Sequence, residues 1–532
     1  MAQHLATREA FAALWRGRGG SGRKRFYVAL PSPVMTIGVV IALVTLVPLF
    51  FVIAAAVTVG GNEAYRLIVR PRVAEILVNT VALLMAAVPL CAALSLGAAW
   101  LVERTTLPGR RAWHVLLAAP LAVPAFVNSF AWVSLGSWVE GYAGAVLVVT
   151  LSYFPLVYLP TAAALRGLDP ALEEASRALG HSSVQAFVRV VMPQLRPAIG
   201  GGMLLVALHL LSEFGALQLL RFPTFTTAIY DQYQSTFNGP AATMLAGVLV
   251  TLCLLLLFAE FLLRGRSRYA RVGAGNARRA TRVPLGSFTV AAFIALLILV
   301  ALALGVPLGS LSRWLIEGTS TAFPLDTLLA TTLRSIGLGI AGATVGIALA
   351  LPIAWLSVRH RGTAPTVVER ATYIAHALPG IVVALALVTV AIRYVRPLYQ
   401  TTLLLLVAYA ILFLPLATVS LRAALAQAPP FLDDAARALG ARPITVLMRV
   451  TVPLIAHGIG AGAVLVFLSV VTELTATLLL APTGTATLAT QFWSHADSIA
   501  YGAAAPYAVL MVIISVPAAY LLARETGRHT VR

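Results

Sequence analysis

VNTVALLMAAVPLCAALSLGAAWLVER (78–104) and LRSIGLGIAGATVGIALALPIAWLSVR (333–359) align without a gap at an offset of 255 residues. Trp100 falls on Trp355, and Pro124 falls on Pro379 at the same offset. Further on the offset becomes 260. Pro155 then meets Pro415, Arg177-Ala178-Leu179-Gly180 meets Arg437-Ala438-Leu439-Gly440, Arg189 meets Arg449, Pro193 meets Pro453 and Glu213 meets Glu473. A self-match of this length makes the chain a parallel duplication. The quoted runs are apolar enough, and closed by arginine, to read as membrane-spanning helices, which need about 20 apolar residues.

Composition agrees. Of 532 residues 60% are hydrophobic and 11% charged, whereas soluble domains are about half apolar and a quarter charged. A soluble enzyme and a disordered chain are both excluded. Twelve apolar runs follow. The first six lie near 35–57, 76–102, 112–135, 142–165, 198–220 and 241–263, the second six near 287–308, 332–358, 371–392, 399–421, 458–480 and 503–522. The net charge of +19 is distributed as topology demands. With the N-terminus inside, cytoplasmic segments hold thirty Lys and Arg and outer segments eight, as the positive-inside rule expects. The basic residues lie between apolar runs rather than along one face, which argues against nucleic-acid binding.

The expected organisation is a cytoplasmic segment (1–34), a first transmembrane domain (35–263), an Arg- and Gly-rich cytoplasmic linker (264–286), a second transmembrane domain (287–523) and a cytoplasmic tail (524–532). The fold class is all-α: twelve transmembrane helices as two parallel six-helix repeats. Such repeats are related by a pseudo-two-fold axis along the membrane normal, with a pathway between them. Cys91 and Cys253 sit in apolar runs and read as small buried hydrophobes.

The connection between the fourth and fifth spans is long and patterned. In LDPALEEASRALGHSSVQAFVRVVMPQLRP (168–197), Asp169 caps a helix with Pro170 at its first position, and Gly180 supplies a left-handed stop. Ser182 and Gln185 form a capping box for a second helix, which Pro193 ends. In the other half Pro430 starts the helix, Gly440 stops it, Pro443 restarts it and Pro453 ends it. Spacing alone leaves two uses open: a docking surface, or an amphipathic pair lying on the membrane.

Two carboxylates fall inside spans. Glu213 and its duplicate Glu473 sit in the fifth span of each half. Ionisable groups there face a cavity or a partner. One reading is a pathway or gate pair; the other is a structural carboxylate bonded to Ser212, Thr472 or backbone freed at a helix break. His209, four residues before Glu213, shares its helical face; a proton relay and a structural hydrogen bond both stay open. Segments 225–230 and 485–489 follow short outer loops, as outer-gate hairpins or as plain loop packing.

Glu174-Ala175-Ser176, Gly180 and Val190-Val191-Met192-Pro193, repeated as Asp434-Ala435-Ala436, Gly440 and Val450-Thr451-Val452-Pro453, resemble the EAA motif of binding-protein-dependent ABC importer permeases. The resemblance covers essentially the whole chain, with Ser176 and Asp434 departing from the motif. It implies the type I importer transmembrane fold with both permease domains fused. It also implies that the two loops dock on two copies of a cytoplasmic ABC ATPase, with Glu174, Ala175, Asp434 and Ala435 at the contact and the glycines setting the bend. An external substrate-binding protein would deliver the solute, and the chain would sit in a bacterial inner membrane with both termini cytoplasmic. ATP and Mg would belong to the ATPase, since Lys24, the only lysine, follows an arginine and a Walker A loop needs Gly-Lys-Ser/Thr. No cofactor, metal site or catalytic constellation is expected on this chain. SEFGALQLLRFPTFTTAIYDQY (212–233), HALPGIVVALALV (376–388) and ELTATLLLAPTGTATLAT (473–490) look most like ferric-iron permeases. Relatives for thiamine, polyamines, sulfate or aminoalkylphosphonates are similar there. The rival from another class is a proton-coupled carrier using His209 and Glu213.

Overall fold

The computed structural model describes residues 33–263, 282–360 and 362–528. The N-terminal segment up to Ser32, with Lys24, and nearly all of the central linker lie outside the described residues. Within them the secondary structure is helical, with one isolated bridge, Thr105 to Val283, and no strands. Backbone groups in hydrocarbon must be satisfied internally, and helices do this.

The first half runs α1 (Pro33–Val59), α2 (Pro71–Arg104), α3 (Arg110–Ala118), α4 (Ala125–Val133), α5 (Tyr142–Tyr153), α6 (Pro155–Gly167), α7 (Pro170–Ala178), α8 (Ser183–Ser212), α9 (Gly215–Leu219), α10 (Phe225–Gln234) and α11 (Gly239–Leu263). The second runs α12 (Phe288–Glu317), α13 (Leu325–Arg359), α14 (Thr363–His376), α15 (Gly380–Tyr394), α16 (Thr402–Gln427), α17 (Pro430–Ala438), α18 (Pro443–Val446), α19 (Ala456–Val471), α20 (Thr475–Leu480), α21 (Leu488–Asp497) and α22 (Tyr501–Arg528). All twelve apolar runs fall on these helices. Seven are single helices long enough to cross, four are bent pairs, and the last is the shorter apolar stretch Tyr501–Pro517 of α22.

Several spans differ from the simple reading. The third span of each half is not one rod: α3 with its 3₁₀ extension meets α4 at 88°, and α14 meets α15 at 101°. The aligned prolines cause it. Val123 is extended (φ −100°, ψ 113°) ahead of Pro124, and Pro124 and Pro379 cap the second arms with ψ near 142° and 145°. The residue before proline is driven out of the α region, and proline offers no N–H. The fifth spans are displaced as well. They stop at Ser212 and Val471, short of the glutamates, and then resume as α9 and α20.

The halves interlock. α1 packs against α11 of its own half but also against α13, α14 and α15 of the other. Ile41, Ala42 and Val52 share a core with Ile353, Val368, Ala371 and Val382. Reciprocally, α12 packs on α3 and α4. Its Ala292, Leu296 and Leu299 join the first-half core, and Phe293 meets Trp113 edge-on at 5.1 Å. Apolar side chains such as Val40, Leu43, Phe50 and Ile53 of α1 stay exposed, as a lipid-facing surface requires.

Candidate functional site: the glycine-elbow loops and the axial break

The connection between spans four and five forms as its residues dictate. Asp169 accepts from the Ala171 N–H at 3.0 Å. Ser182 and Gln185 exchange both bonds of the capping box, at 3.0 and 3.2 Å. Gly180 (φ +89°) and Gly440 (φ +84°) take the left-handed turn. Most other residues there cost about 1–2 kcal/mol. Glu174 and Ala175, and equally Asp434 and Ala435, are exposed. Beside them Leu179 and Leu439 stand more than four-fifths exposed on the elbow.

Pro193 does not end the second helix, contrary to expectation. Within α8 the chain passes through a π-turn (Phe187–Val191) and runs on to Ser212. The wider turn leaves one backbone donor unneeded, and that is where proline has none to give. The equivalent π-turn, Leu447–Thr451, precedes Pro453, but there the helix does stop at Leu454 and bends by 70° into α19.

The structure adds residues that the motif did not single out. The carboxylate preceding each motif acid turns inward. Glu173 meets Arg104 at 3.3 Å, and Asp433 meets Arg359 at 3.4 Å and accepts from Thr451 Oγ1 at 2.9 Å. The signal was in the duplication. Arg104 and Arg359 close the aligned opening runs, and Glu173 and Asp433 match at offset 260. The loops also differ. Ser176, which departs from the motif alanine, bonds His181 Nδ1 at 3.0 Å, and His181 Nε2 lies 3.1 Å from Arg189. Ala436 and Ala441 at the matching places in the second loop cannot build this brace.

At the other end of spans five, the glutamates sit at breaks rather than within helices. Glu213 is extended (ψ 119°), and its Oε1 accepts the Ala216 N–H at 2.9 Å. Glu473 Oε1 accepts the Ala476 N–H at 2.7 Å. Each thereby caps the short helix that follows, as acidic residues do at helix N-termini. The second oxygen of Glu213 accepts from the Tyr153 hydroxyl. Tyr153 also faces the His209 ring at 5.5 Å, while His209 Nδ1 lies 2.9 Å from the Leu205 carbonyl. The two breaks meet between the halves. A methyl group on Gly215 would lie 2.9 Å from Leu474 Cδ2 and 2.9 Å from Phe126 Cβ, and the Cβ, fixed to its own backbone, cannot swing away, so that packing needs the glycine.

Helices α10 and α21 fold back over the breaks. Each starts with a threonine pair in a capping box, Thr224/Thr227 and Thr487/Thr490. Thr226 Oγ1 donates to the Glu213 carbonyl at 2.6 Å. Phe214 contacts Tyr230 at 4.5 Å and Trp493 at 5.2 Å, and Phe492 contacts Phe126 and Phe130. An aromatic layer drawn from both halves thus lies beside the two glutamates.

Interlocked six-span repeats, a compact helix–glycine–helix loop from each, and a shared axis of broken helices define a membrane transport permease. The sequence pattern of binding-protein-dependent transport system inner membrane components matches residues 26–269 and again 342–524, and the chain belongs to this family of ABC importer permeases. It is 40% identical over 492 residues, 91% of this chain and 96% of the other, to the Fe(3+)-transport system permease protein FbpB 2 of Haemophilus influenzae. It is 22% identical to the ferric transport system permease protein FbpB of Actinobacillus pleuropneumoniae, across 74% of this chain and 60% of that one. It is 28% identical to the sulfate transport system permease protein CysT of Escherichia coli, across 44% of this chain and 92% of that one.

Proposed function

We propose that this chain is the permease of an ATP-driven ferric-iron importer. It would sit in the bacterial inner membrane with both termini cytoplasmic, served by an external binding protein and two copies of a cytoplasmic ABC ATPase. The observation that carries the cargo is the 40% identity, over nearly the full length of both chains, to a Fe(3+)-transport permease. The sulfate relative aligns with only 44% of the chain, and nothing in the site favours thiamine, a polyamine or an aminoalkylphosphonate.

The loops bearing Glu174, Ala175, Gly180, Asp434, Ala435 and Gly440 are the docking sites for the ATPase, and ATP with Mg is bound by that partner. Exposed carboxylates and exposed Leu179 and Leu439 on a rigid elbow support this. ATPase closure draws the two loops together, and the halves rock about the axis as rigid bodies. Glu213 and Glu473 border the pathway. Ferric iron is a hard cation, and carboxylate oxygens suit such ions. His209 lies beside Tyr153, the residue that bonds Glu213. A proton-coupled carrier would leave both cytoplasmic loops without a use.

Co-purification tests the machinery. The tagged chain retains an ATPase, and Gly180→Val with Gly440→Val loses it; no ATPase in any mild detergent refutes the reading. Uptake of radioactive ferric iron tests the pathway. Glu213→Gln with Glu473→Gln lowers it, and undiminished uptake sinks the role of the glutamates.

A further inference from the structure

Helices α2 and α13 are fastened at both ends, and in the same places. At the cytoplasmic end Arg104 meets Glu173 ahead of the first loop's elbow, and Arg359 meets Asp433 ahead of the second. At the outer end Asn79 Nδ2 donates to the Pro223 carbonyl at 3.2 Å, and Arg334 donates to the Gly484 carbonyl at 3.2 Å. Asn79 and Arg334 are equivalent at offset 255, as are Arg104 and Arg359. Pro223 and Gly484 both lie just ahead of the returning helices α10 and α21. Ser335, one residue after Arg334, adds a second tie by accepting from the Leu488 N–H at 2.8 Å. The side chains differ between halves, amide against guanidinium and Glu against Asp, yet the attachment points coincide.

From Asn79 to Arg104 the helix advances about 38 Å at 1.5 Å per residue. That exceeds the roughly 30 Å hydrocarbon core. Neither α2 nor α13 is broken, whereas the third spans turn through 88° and 101° and the fifth spans stop at the glutamates. Each of α2 and α13 carries one interior proline, Pro89 and Pro352, yet runs through it as a single helix, so it moves as a body while the broken spans beside it supply the joints.

We propose that α2 and α13 are connecting rods between the cytoplasmic loops and the outer hairpins. Arg104, Glu173, Arg359 and Asp433 are the positioning residues at one end, and Asn79 and Arg334 those at the other. None of them touches cargo. Displacement of a docked loop reaches α10 or α21 through the rod, and with it the aromatic layer beside Glu213 and Glu473. This rests on the assignment of the loops as ATPase docking sites.

The test reads ferric iron taken up per ATP hydrolysed, with the full chain, its ATPase and its binding protein in liposomes. One variant cuts the inner fastenings (Arg104→Gln with Arg359→Gln), one the outer (Asn79→Leu with Arg334→Leu), and a third combines them. The rods predict that each cut lowers the ratio about tenfold while the ATPase stays bound and active. They also predict that the combined variant falls no further, since links in series fail once, whereas independent contacts add. Reversing the inner pairs (Arg104→Glu with Glu173→Arg, Arg359→Asp with Asp433→Arg) restores the ratio. An unchanged ratio, losses that multiply, or release of the ATPase by the inner cut overturns the rods. If the unaltered chain binds no ATPase, the docking assignment itself fails.

Discussion

Replacing Gly202 by alanine should weaken the permease, while the same change two residues earlier should not. Gly200, Gly201 and Gly202 are consecutive on α8. A methyl group on Gly200 or Gly201 meets nothing within 4 Å. On Gly202 it would lie 2.7 Å from Val157 Cα and 3.1 Å from the Leu156 carbonyl oxygen, both backbone atoms of α6. Ordinary carbon contacts lie at about 3.5–4.0 Å, so α6 and α8 must part by nearly an ångström. The duplicate position is looser. On Gly462 the methyl group would lie 3.5 Å from Ala417 Cα, with Ser420 Cβ and Ile347 Cδ1 at 3.2 and 3.1 Å. All four substitutions gain about 1 kcal/mol of helix propensity. That gain cancels between sites and leaves the overpacking cost, about 1–3 kcal/mol for Gly202→Ala and well under that for Gly462→Ala. Thermal melting of the detergent-solubilised chain is the assay. The expected order of midpoints puts Gly202→Ala lowest and Gly462→Ala near the parent, with Gly200→Ala and Gly201→Ala at or above it. Equal destabilisation at Gly200 and Gly202, or a lower midpoint for Gly462→Ala than for Gly202→Ala, would refute the assigned packing of spans four and five.

Glu213→Ala removes the acceptor for the Ala216 N–H and should cost about 1–2 kcal/mol, whereas Glu213→Gln keeps an oxygen there and should melt close to the parent; equal melting of the two denies the capping role. Thr451→Val leaves Asp433 with Arg359 alone and should lower the melting midpoint by the equivalent of about 1 kcal/mol. Asp433→Ala in the Thr451→Val background should then cost less than the sum of the two. Ser176→Ala removes the His181 brace and gives the first loop the alanine of the second. Its affinity for the ATPase should fall by less than about tenfold, as expected for one neutral hydrogen bond, and a complete loss would show that the brace shapes the docking surface.

Much of the architecture could be read before any coordinates. Twelve apolar runs fell on helices because run length and charge bias measure what the bilayer selects. The loop elbows at Gly180 and Gly440 followed from capping chemistry, which is local. The breaks did not follow from run length, since hydropathy sums over a bend as easily as over a rod. Pro124 and Pro379 held that information, and their alignment across the halves was visible. The inward carboxylates were hidden for another reason. The motif fixed on Glu174 and Asp434, and only three-dimensional proximity shows that Glu173 and Asp433 meet the arginines ending α2 and α13. The exchange of first spans was illegible, because a helix apolar on all sides does not record which neighbour it prefers.

That exchange has a consequence for how the protein is made. α1 is synthesised early, yet α13, α14 and α15, against which it packs, emerge only after the first half is complete. The first half must therefore wait in the bilayer with one flank of α1 covered by lipid alone. Its partner's α12 takes up the matching place on α3 and α4 as soon as it is inserted. Neither repeat is a finished body by itself. Expressed as separate chains, each would enter the membrane lacking a wall that the other provides and would have to find it by diffusion in the bilayer. Joined in one polypeptide, the halves are delivered in equal number and side by side, and the crossing of α1 and α12 closes like clasped hands once synthesis ends.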